Sequence, residues 1–253
     1  MTRVTINTAE CAGCGVCGRY CPAHNIELVD GHAHLKRDTC LGCGHCAGVC
    51  ARGAIAINGD VPAVAPTGHE TLLDVLKSRH STRFFGGALT HDALRAILDV
   101  ARYAPSACNA RPVRLAVVSR PRLTDAVAAL AAAFAARPDC PADFRAVCTR
   151  QASTDIICRG APHVVVAYAP AESWASAEDD AAIVLTHVEL AAVSQGYGTL
   201  WCGFVKALLS DDAGMAAVGL GGFRCLGCLA IGESATRFVR ETPHVVPSVT
   251  FIE

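Results

Sequence analysis

Along the chain, the spacing of hydrophobic and polar positions changes character near residue 65. Before that point the apolar stretches are short. Arg3–Asn7 alternates as a brief strand, and Ile26–Val29 and His32–Lys36 flank Asp30-Gly31, a pair that predicts a two-residue hairpin turn. Ala54–Asn58 predicts one more short strand. A linker follows across Gly59-Asp60-Val61-Pro62 to Pro66-Thr67-Gly68, where prolines and glycines interrupt any helical period. The expected organisation is therefore a small domain over residues 1–59, a linker over 60–69 and a large domain over 70–253.

In the large part, helical and extended patterns mix. Leu72, Leu73, Val75 and Leu76 form an apolar stripe on a helix expected to end near Arg79. Thr90 is placed to cap a second helix, with Leu94, Ile97, Leu98 and Ala101 at core spacing before Pro105. Leu115–Val118 predicts a strand, Pro121 opens an Ala-rich helix, and the uninterrupted run Val164–Tyr168 predicts a strand buried on both faces. Ser176 and the acidic residues after it open the longest helix, which Gly196 or Gly198 stops. Leu200–Phe204, Leu226–Ile231 and Val249–Ile252 are the remaining expected strands.

Cysteines decide the chemistry of the first part. The sequence reads Cys11-x2-Cys14-x2-Cys17-x3-Cys21-Pro22, then Cys40-x2-Cys43-x2-Cys46-x3-Cys50. Each cysteine of the second run follows its counterpart by 29 positions (40−11, 43−14, 46−17, 50−21), which marks an internal duplication. Three thiolates at this spacing wrap one loop around three irons of a cubane, and the fourth cysteine of each run crosses to the other cluster. The expected ligand sets are Cys11, Cys14, Cys17 and Cys50 for one [4Fe-4S] cluster, and Cys40, Cys43, Cys46 and Cys21 for the other. Zinc sites more often use two CxxC pairs. No signal peptide precedes Cys11, which argues against a disulfide framework. Residues 1 to about 59 thus resemble a bacterial two-cluster ferredoxin, with Ala51 replacing the second proline of that pattern.

Composition narrows the rest. With 22 basic and 23 acidic residues the net charge is −1, which gives no electrostatic case for nucleic acid or an anionic membrane. The mean hydropathy of +0.34 comes largely from Ala and Val. The longest apolar run, Ala126–Ala136, is too short to span a membrane. Fifteen cysteines point to a reducing, cytoplasmic setting. There is no GxGxxG and no Walker loop.

Three segments of the large part carry candidate chemistry. Arg79-His80-Ser81-Thr82-Arg83 offers two guanidiniums and hydroxyls for a phosphate. Ala104-Pro105-Ser106-Ala107-Cys108-Asn109-Ala110-Arg111-Pro112 lies between a helix and a strand, and Gly196-Tyr197-Gly198-Thr199-Leu200-Trp201-Cys202-Gly203 follows the long helix. In this order, from residue 70 to about 245, they resemble the nitroreductase-like flavoproteins. The resemblance implies an α+β fold, a mostly antiparallel central sheet flanked by helices, FMN as cofactor, and a homodimer. It places Arg79, His80, Ser81 and Arg83 at the phosphate and ribityl end. Ser106, Asn109 and the backbone N–H groups around Cys202 and Gly203 would lie along the flavin, and Arg237 and Arg240 would form a second phosphate grip. Arg111-Pro112-Val113 departs from the family's Gln-Pro-Trp, which leaves the role of Arg111 open between the pocket and an ordinary loop contact. Cys225-x-x-Cys228 reads as core, because a lone CxxC has no second pair.

The expectation is an FMN- and iron–sulfur-dependent oxidoreductase. It would pass electrons between clusters and flavin to reduce a small oxidised substrate, with NAD(P)H or an external ferredoxin as partner. Two rivals stand beside it: an electron carrier or redox sensor with a degenerate flavin domain, and a reductase or dehalogenase of the same family.

Overall fold

The structure, a computed structural model, describes residues 3–65, 68, 70–151, 154–174, 176–242 and 247–252. The chain divides into two compact units, one of residues 1–80 together with 237–253, the other of residues 81–236. The units meet along the chain at His80/Ser81, and the tail groups with the first unit. Pro66, Thr67 and His69, which belong to the expected linker, lie outside the described residues.

The first unit carries β1 (Val4–Ile6), α1 (Val16–Tyr20), β2 (Ile26–Val29), β3 (His32–Leu35), α2 (His45–Gly48), β4 (Ile55–Ile57) and α3 (Leu72–Ser78). β1 pairs antiparallel with β4, and β2 with β3. Asp30 and Gly31 take the left-handed conformation (φ 48° and 80°) that the expected hairpin turn needs. The duplication is visible in the backbone. Gly13 and Gly15 (φ 64° and 71°) recur as Gly42 and Gly44 (φ 67° and 68°), and Gly15 and Gly44 open the two short helices. A small core of Val4, Ile26, Ala33, Ala47, Ile55 and Ile57 lies against the cysteine loops.

α3 forms where the stripe predicts it, ending at Arg79. Thr71 caps it with a reciprocal capping box to Asp74, which fixes its start. Its apolar stripe is not buried, however. Val75 is inside, while Leu72, Leu73 and Leu76 are 65%, 59% and 49% exposed.

The second unit contains β5 (Phe85–Gly87), α4 (His91–Leu98), β6 (Arg114–Ser119), α5 (Arg122–Ala135), α6 (Ala142–Gln151), β7 (His163–Pro170), α7 (Ala177–Ser194), β8 (Tyr197–Trp201), α8 (Gly203–Leu208), α9 (Asp212–Ala217) and β9 (Phe223–Ser234). The five strands form one antiparallel sheet in the order β5-β9-β7-β6, with β8 on β9. One face of the sheet packs on α5, α8 and α9 through Val127, Val205 and Met215. The other packs on α4 and α7 through Ile97, Leu185 and Val188. With both faces covered, Val164–Ala167 are fully buried, as their continuous apolar run requires.

Two expected strands fail. Leu200–Phe204 is split, because Gly203 starts α8. Val249–Ile252 is exposed and unpaired among the described residues, with Phe251 and Ile252 at 86% and 94% exposure.

Candidate cluster and flavin sites

In the first unit the eight spaced cysteines line two cavities. Cys11, Cys14, Cys17 and Cys50 line one; Cys21, Cys40, Cys43 and Cys46 line the other. Each cavity takes three sulfurs from one run and the fourth from the other run. Among the described residues no three of His, Cys, Asp or Glu close around a single-ion position. Cubane donors sit at the corners of a larger body.

The donor chemistry suits iron. Burial pushes the Cys17 thiol up to about 11, and the neighbouring Cys14, Cys50 and Cys11 add to the rise. Burial pushes Cys46 up to about 12, with Cys43, Cys40 and Cys21 acting the same way. Bare thiolates are therefore disfavoured here, and a soft cation bound to sulfur removes that penalty. Backbone N–H groups also point at sulfur. Asn25 donates to Cys21 Sγ and Ala54 to Cys50 Sγ, both at 3.3 Å and both four residues past a crossover cysteine. Gly42 donates to Cys40 Sγ at 3.3 Å and Ala33 to Cys11 Sγ at 3.4 Å.

The tail residues 238–242 return to this unit. Phe238 is buried (7% exposed), lies edge-on to Tyr20 and His45 with ring centroids 5.3 and 5.6 Å apart, and stacks on His80 at 3.5 Å. The N–H groups of Val239 and Arg240 both donate to Gly48 O at the end of α2, each at 3.1 Å. Glycine is required at 48, since a Cβ there would lie 2.8 Å from Phe238 and Thr242. Arg240 has an occupation different from the expected phosphate grip. Its Nε–H donates to Cys50 O at 3.1 Å and its Nη1 to Pro62 O at 3.0 Å. Arg237, the other half of that grip, is exposed and begins the tail.

In the second unit, residues 81–83 are joined to the third segment. Ser81 bridges Thr199, and Thr82 N–H donates to Thr199 O at 2.8 Å. Gly198 permits this approach, because a Cβ there would stand 2.6 Å from Thr82 Oγ1. Arg83 Nη1 donates to Ser81 O at 3.3 Å, so guanidinium and hydroxyl share one stretch of chain. β8 then runs into Cys202 and Gly203. Cys202 departs from expectation: its N–H is held by Cys228 O at 2.9 Å, and burial pushes its thiol up to about 12. Gly203 meets open space, with nothing within 4 Å of a Cβ built on it. Arg79 caps the end of α3 through its N–H to Val75 O, and His80 Nδ1 lies 2.9 Å from Ser78 O.

The second segment is a tight loop whose centre is Arg111. Its N–H donates to Ser106 Oγ at 3.0 Å, its Nε to Asn109 Oδ1 at 2.9 Å and its Nη1 to Arg102 O at 3.0 Å. Cys108, Asn109 and Arg111 all take positive φ (50°, 54° and 48°), a strained run for non-glycine residues that these bonds hold in place. With their acceptors used by Arg111, Ser106 keeps its hydroxyl hydrogen and Asn109 its amide NH2 as donors.

Sequence reasoning missed the two acids of α7 that hold these segments. Buried Asp180 accepts Ala107 N–H at 3.0 Å. Buried Glu189 accepts Thr199 Oγ1 at 3.1 Å and Trp201 Nε1 at 2.9 Å. They stand roughly 14 Å apart along the helix at 1.5 Å per residue. The signal for Glu189 was there to read: one carboxylate amid Val184-Leu185-Thr186-His187-Val188 and Leu190-Ala191-Ala192. Cys225 and Cys228 share one face of β9, with sulfurs 3.6 Å apart, and pack in the core. A bulge at Leu226, where β7 register passes from Ala167↔Gly227 to Tyr168↔Cys225, turns them the same way.

A family model described as Nitroreductase family matches residues 76–233, more than half of the chain. The chain belongs to the nitroreductase family. A second family model, 4Fe-4S dicluster domain, matches residues 3–51 of this nitroreductase-family chain. An uncharacterised ferredoxin of Methanocaldococcus jannaschii is 42% identical over 57 residues, 19% of this chain and 34% of that protein. The match thus spans about a third of that relative's length. Among solved structures, a nitroreductase with bound FMN from Bacteroides fragilis has a TM-score of 0.63 at 24% identity, covering 73% of this chain and all of that one. A nitroreductase with bound FMN from Desulfitobacterium hafniense gives 0.60 at 24%, over 72% and 98% of the two chains. The FMN-dependent nitroreductase NfnB of Mycobacterium smegmatis, in complex with NADPH, gives 0.53 at 21%, over 71% and 96%. The fold is therefore the nitroreductase-like α+β fold preceded by a ferredoxin-like domain. Among the described residues no helix is long and apolar enough to cross a membrane.

Proposed function

We propose that this FMN and iron–sulfur oxidoreductase carries two [4Fe-4S] clusters and one FMN, and passes electrons between them to reduce a small oxidised organic substrate. The observation that carries the reading is the pair of cavities, each lined by three cysteines of one run and the crossover cysteine of the other. In this reading residues 1–59, with the tail from Phe238, hold the clusters, and the segments from residue 79 to Gly203 hold the flavin. Bound there, the clusters would supply single electrons and FMN a centre able to exchange one electron or a hydride.

The chain's own residues have separate tasks. Arg79, Ser81 and Arg83 supply charge and hydroxyl for the phosphate end, with His80 between them. Ser106 and Asn109 offer donors from a loop that Arg111 fixes, and Gly203 leaves room for close approach. Glu189 positions Thr199 and Trp201, and Asp180 positions the 106–111 loop. NADPH is the donor suggested by the Mycobacterium smegmatis structure, with an external ferredoxin as the other candidate. A second copy of the chain would cover the exposed Leu72, Leu73 and Leu76, which supports a homodimer. The cysteine content supports a cytoplasmic setting.

Iron, labile sulfide and acid-extracted flavin, measured on anaerobically reconstituted protein, test the reading. About eight irons per chain with FMN is the expected result. About four irons, or FAD, or no flavin, would remove it.

A further inference from the structure

The duplication predicts two similar cluster environments, and one departure from that symmetry lies where the tail meets the turn after Cys50. The carbonyl of each crossover cysteine accepts the N–H three residues on: His24 N–H to Cys21 O at 3.0 Å, Gly53 N–H to Cys50 O at 3.1 Å. Positions 24 and 53 correspond across the repeat, and both have positive φ (49° and 67°). The first is a histidine and the second a glycine. At Gly53 a Cβ would lie 2.9 Å from Arg240 Nη2 and 3.2 Å from its Cζ, so the missing side chain is what lets the guanidinium approach. Arg240 is half-buried there, with its Nε–H on Cys50 O and its Nη1 on Pro62 O. In the first half, Arg37 is exposed and donates to Ala23 O at 3.0 Å and Asn25 Oδ1 at 3.5 Å, not to the Cys21 carbonyl.

We infer that Arg240 is a potential-setting residue for the cluster held by Cys11, Cys14, Cys17 and Cys50, raising its reduction potential above that of the cluster held by Cys21, Cys40, Cys43 and Cys46. The inference rests on the two-cluster reading. Its physical basis is a fixed positive charge at the carbonyl of a ligand. Reduction adds one negative charge to the cluster, and a cation held partly out of bulk water favours the more negative state. Arg37, being exposed, is screened by solvent and ions and has a weaker effect. N–H groups pointing at sulfur do not create the difference, since the cavity containing Cys50 receives those of Ala33 and Ala54 and the other receives those of Asn25 and Gly42. The tail thus makes two duplicated sites unequal and marks the Cys50 cluster as the one that fills first.

Potentiometric titration of the reconstituted full chain under anaerobic conditions, followed by EPR, tests this. The signal perturbed by Cys14→Ser identifies the Cys50 cluster. Arg240→Gln is expected to lower the potential of that signal and leave the other in place, and Arg240→Lys to restore part of the shift. Gly53→Ala, which keeps Arg240 but displaces it, should move the same signal in the same direction. Iron is counted on every sample, because a wild-type count near four would contradict the two-cluster reading instead. With full iron, an unmoved potential, an equal shift in both clusters, or no recovery in the Lys variant would overturn the role of Arg240.

Discussion

Phe238→Ala should unfasten the tail from the cluster-bearing unit. The ring is 7% exposed and meets Tyr20, His45 and His80, and the neighbouring backbone donates twice to Gly48 O. A phenylalanine buries about 150–250 Å², which at about 25 cal/mol per Å² amounts to roughly 4–6 kcal/mol, part of which an alanine keeps. Oriented ring pairs add about 0.5–1.5 kcal/mol. Large-to-small changes of this kind cost about 3–5 kcal/mol, and we expect a loss of about 3–4 kcal/mol here. Phe238→Leu, which keeps more of the volume, should lose about half as much. The assay is urea unfolding of the reconstituted protein, read from the visible absorbance of the clusters, with FMN affinity measured in parallel by fluorescence. A loss below about 1 kcal/mol, or unchanged cluster stability with weakened FMN, would show that the tail belongs energetically to the flavin-binding part, and would refute the reasoning.

Three further outcomes follow from the sites. Cys50→Ser should damage the cluster held by Cys11, Cys14 and Cys17, visible by EPR of the reduced variant; loss of the other cluster would reverse the crossover. Arg83→Ala removes one charge-assisted partner of the phosphate and should weaken FMN binding by about 1.5–3 kcal/mol, roughly ten- to a hundredfold, with iron unchanged. An effect within about 0.5 kcal/mol would mean that Arg83 is only a solvated residue. Gly198→Ala forces a methyl to within 2.6 Å of Thr82 Oγ1 and should cost about 1–3 kcal/mol in thermal unfolding, with weaker FMN binding; wild-type behaviour would mean that Ser81 and β8 are not held together as described.

What the sequence made legible was what local spacing specifies. The cysteine repeat fixed the sets around the two cavities, Asp30-Gly31 the hairpin, Thr90 the start of α4 and the unbroken run Val164–Tyr168 the doubly covered strand. What it hid depends on contacts between distant residues. Nothing near Arg240 announces Cys50, 190 positions earlier in the chain. The family resemblance implies a phosphate grip there instead. The stripe Leu72-Leu73-Leu76 has the period of a buried face yet lies exposed, because period reports that a helix has an apolar side and not what covers it. Val249–Ile252 has strand composition without a neighbour to pair with among the described residues. Arg111 reads as a departure from the Gln-Pro-Trp pattern, and its tie to Ser106, Asn109 and Arg102 needs the positive φ values that sequence alone does not reveal.

Electron passage between clusters and flavin is the central claim, and anaerobic stopped-flow reduction tests it most directly. A one-electron donor such as a reduced viologen is mixed with the holoprotein and with Cys50→Ser, while the cluster and flavin bands are followed together. The account predicts that the clusters bleach first in the wild type and the flavin follows at a rate independent of donor concentration. In Cys50→Ser, with its FMN retained, that concentration-independent phase should be lost. Flavin reduction that is equally fast in both proteins, and proportional to donor concentration, would contradict it.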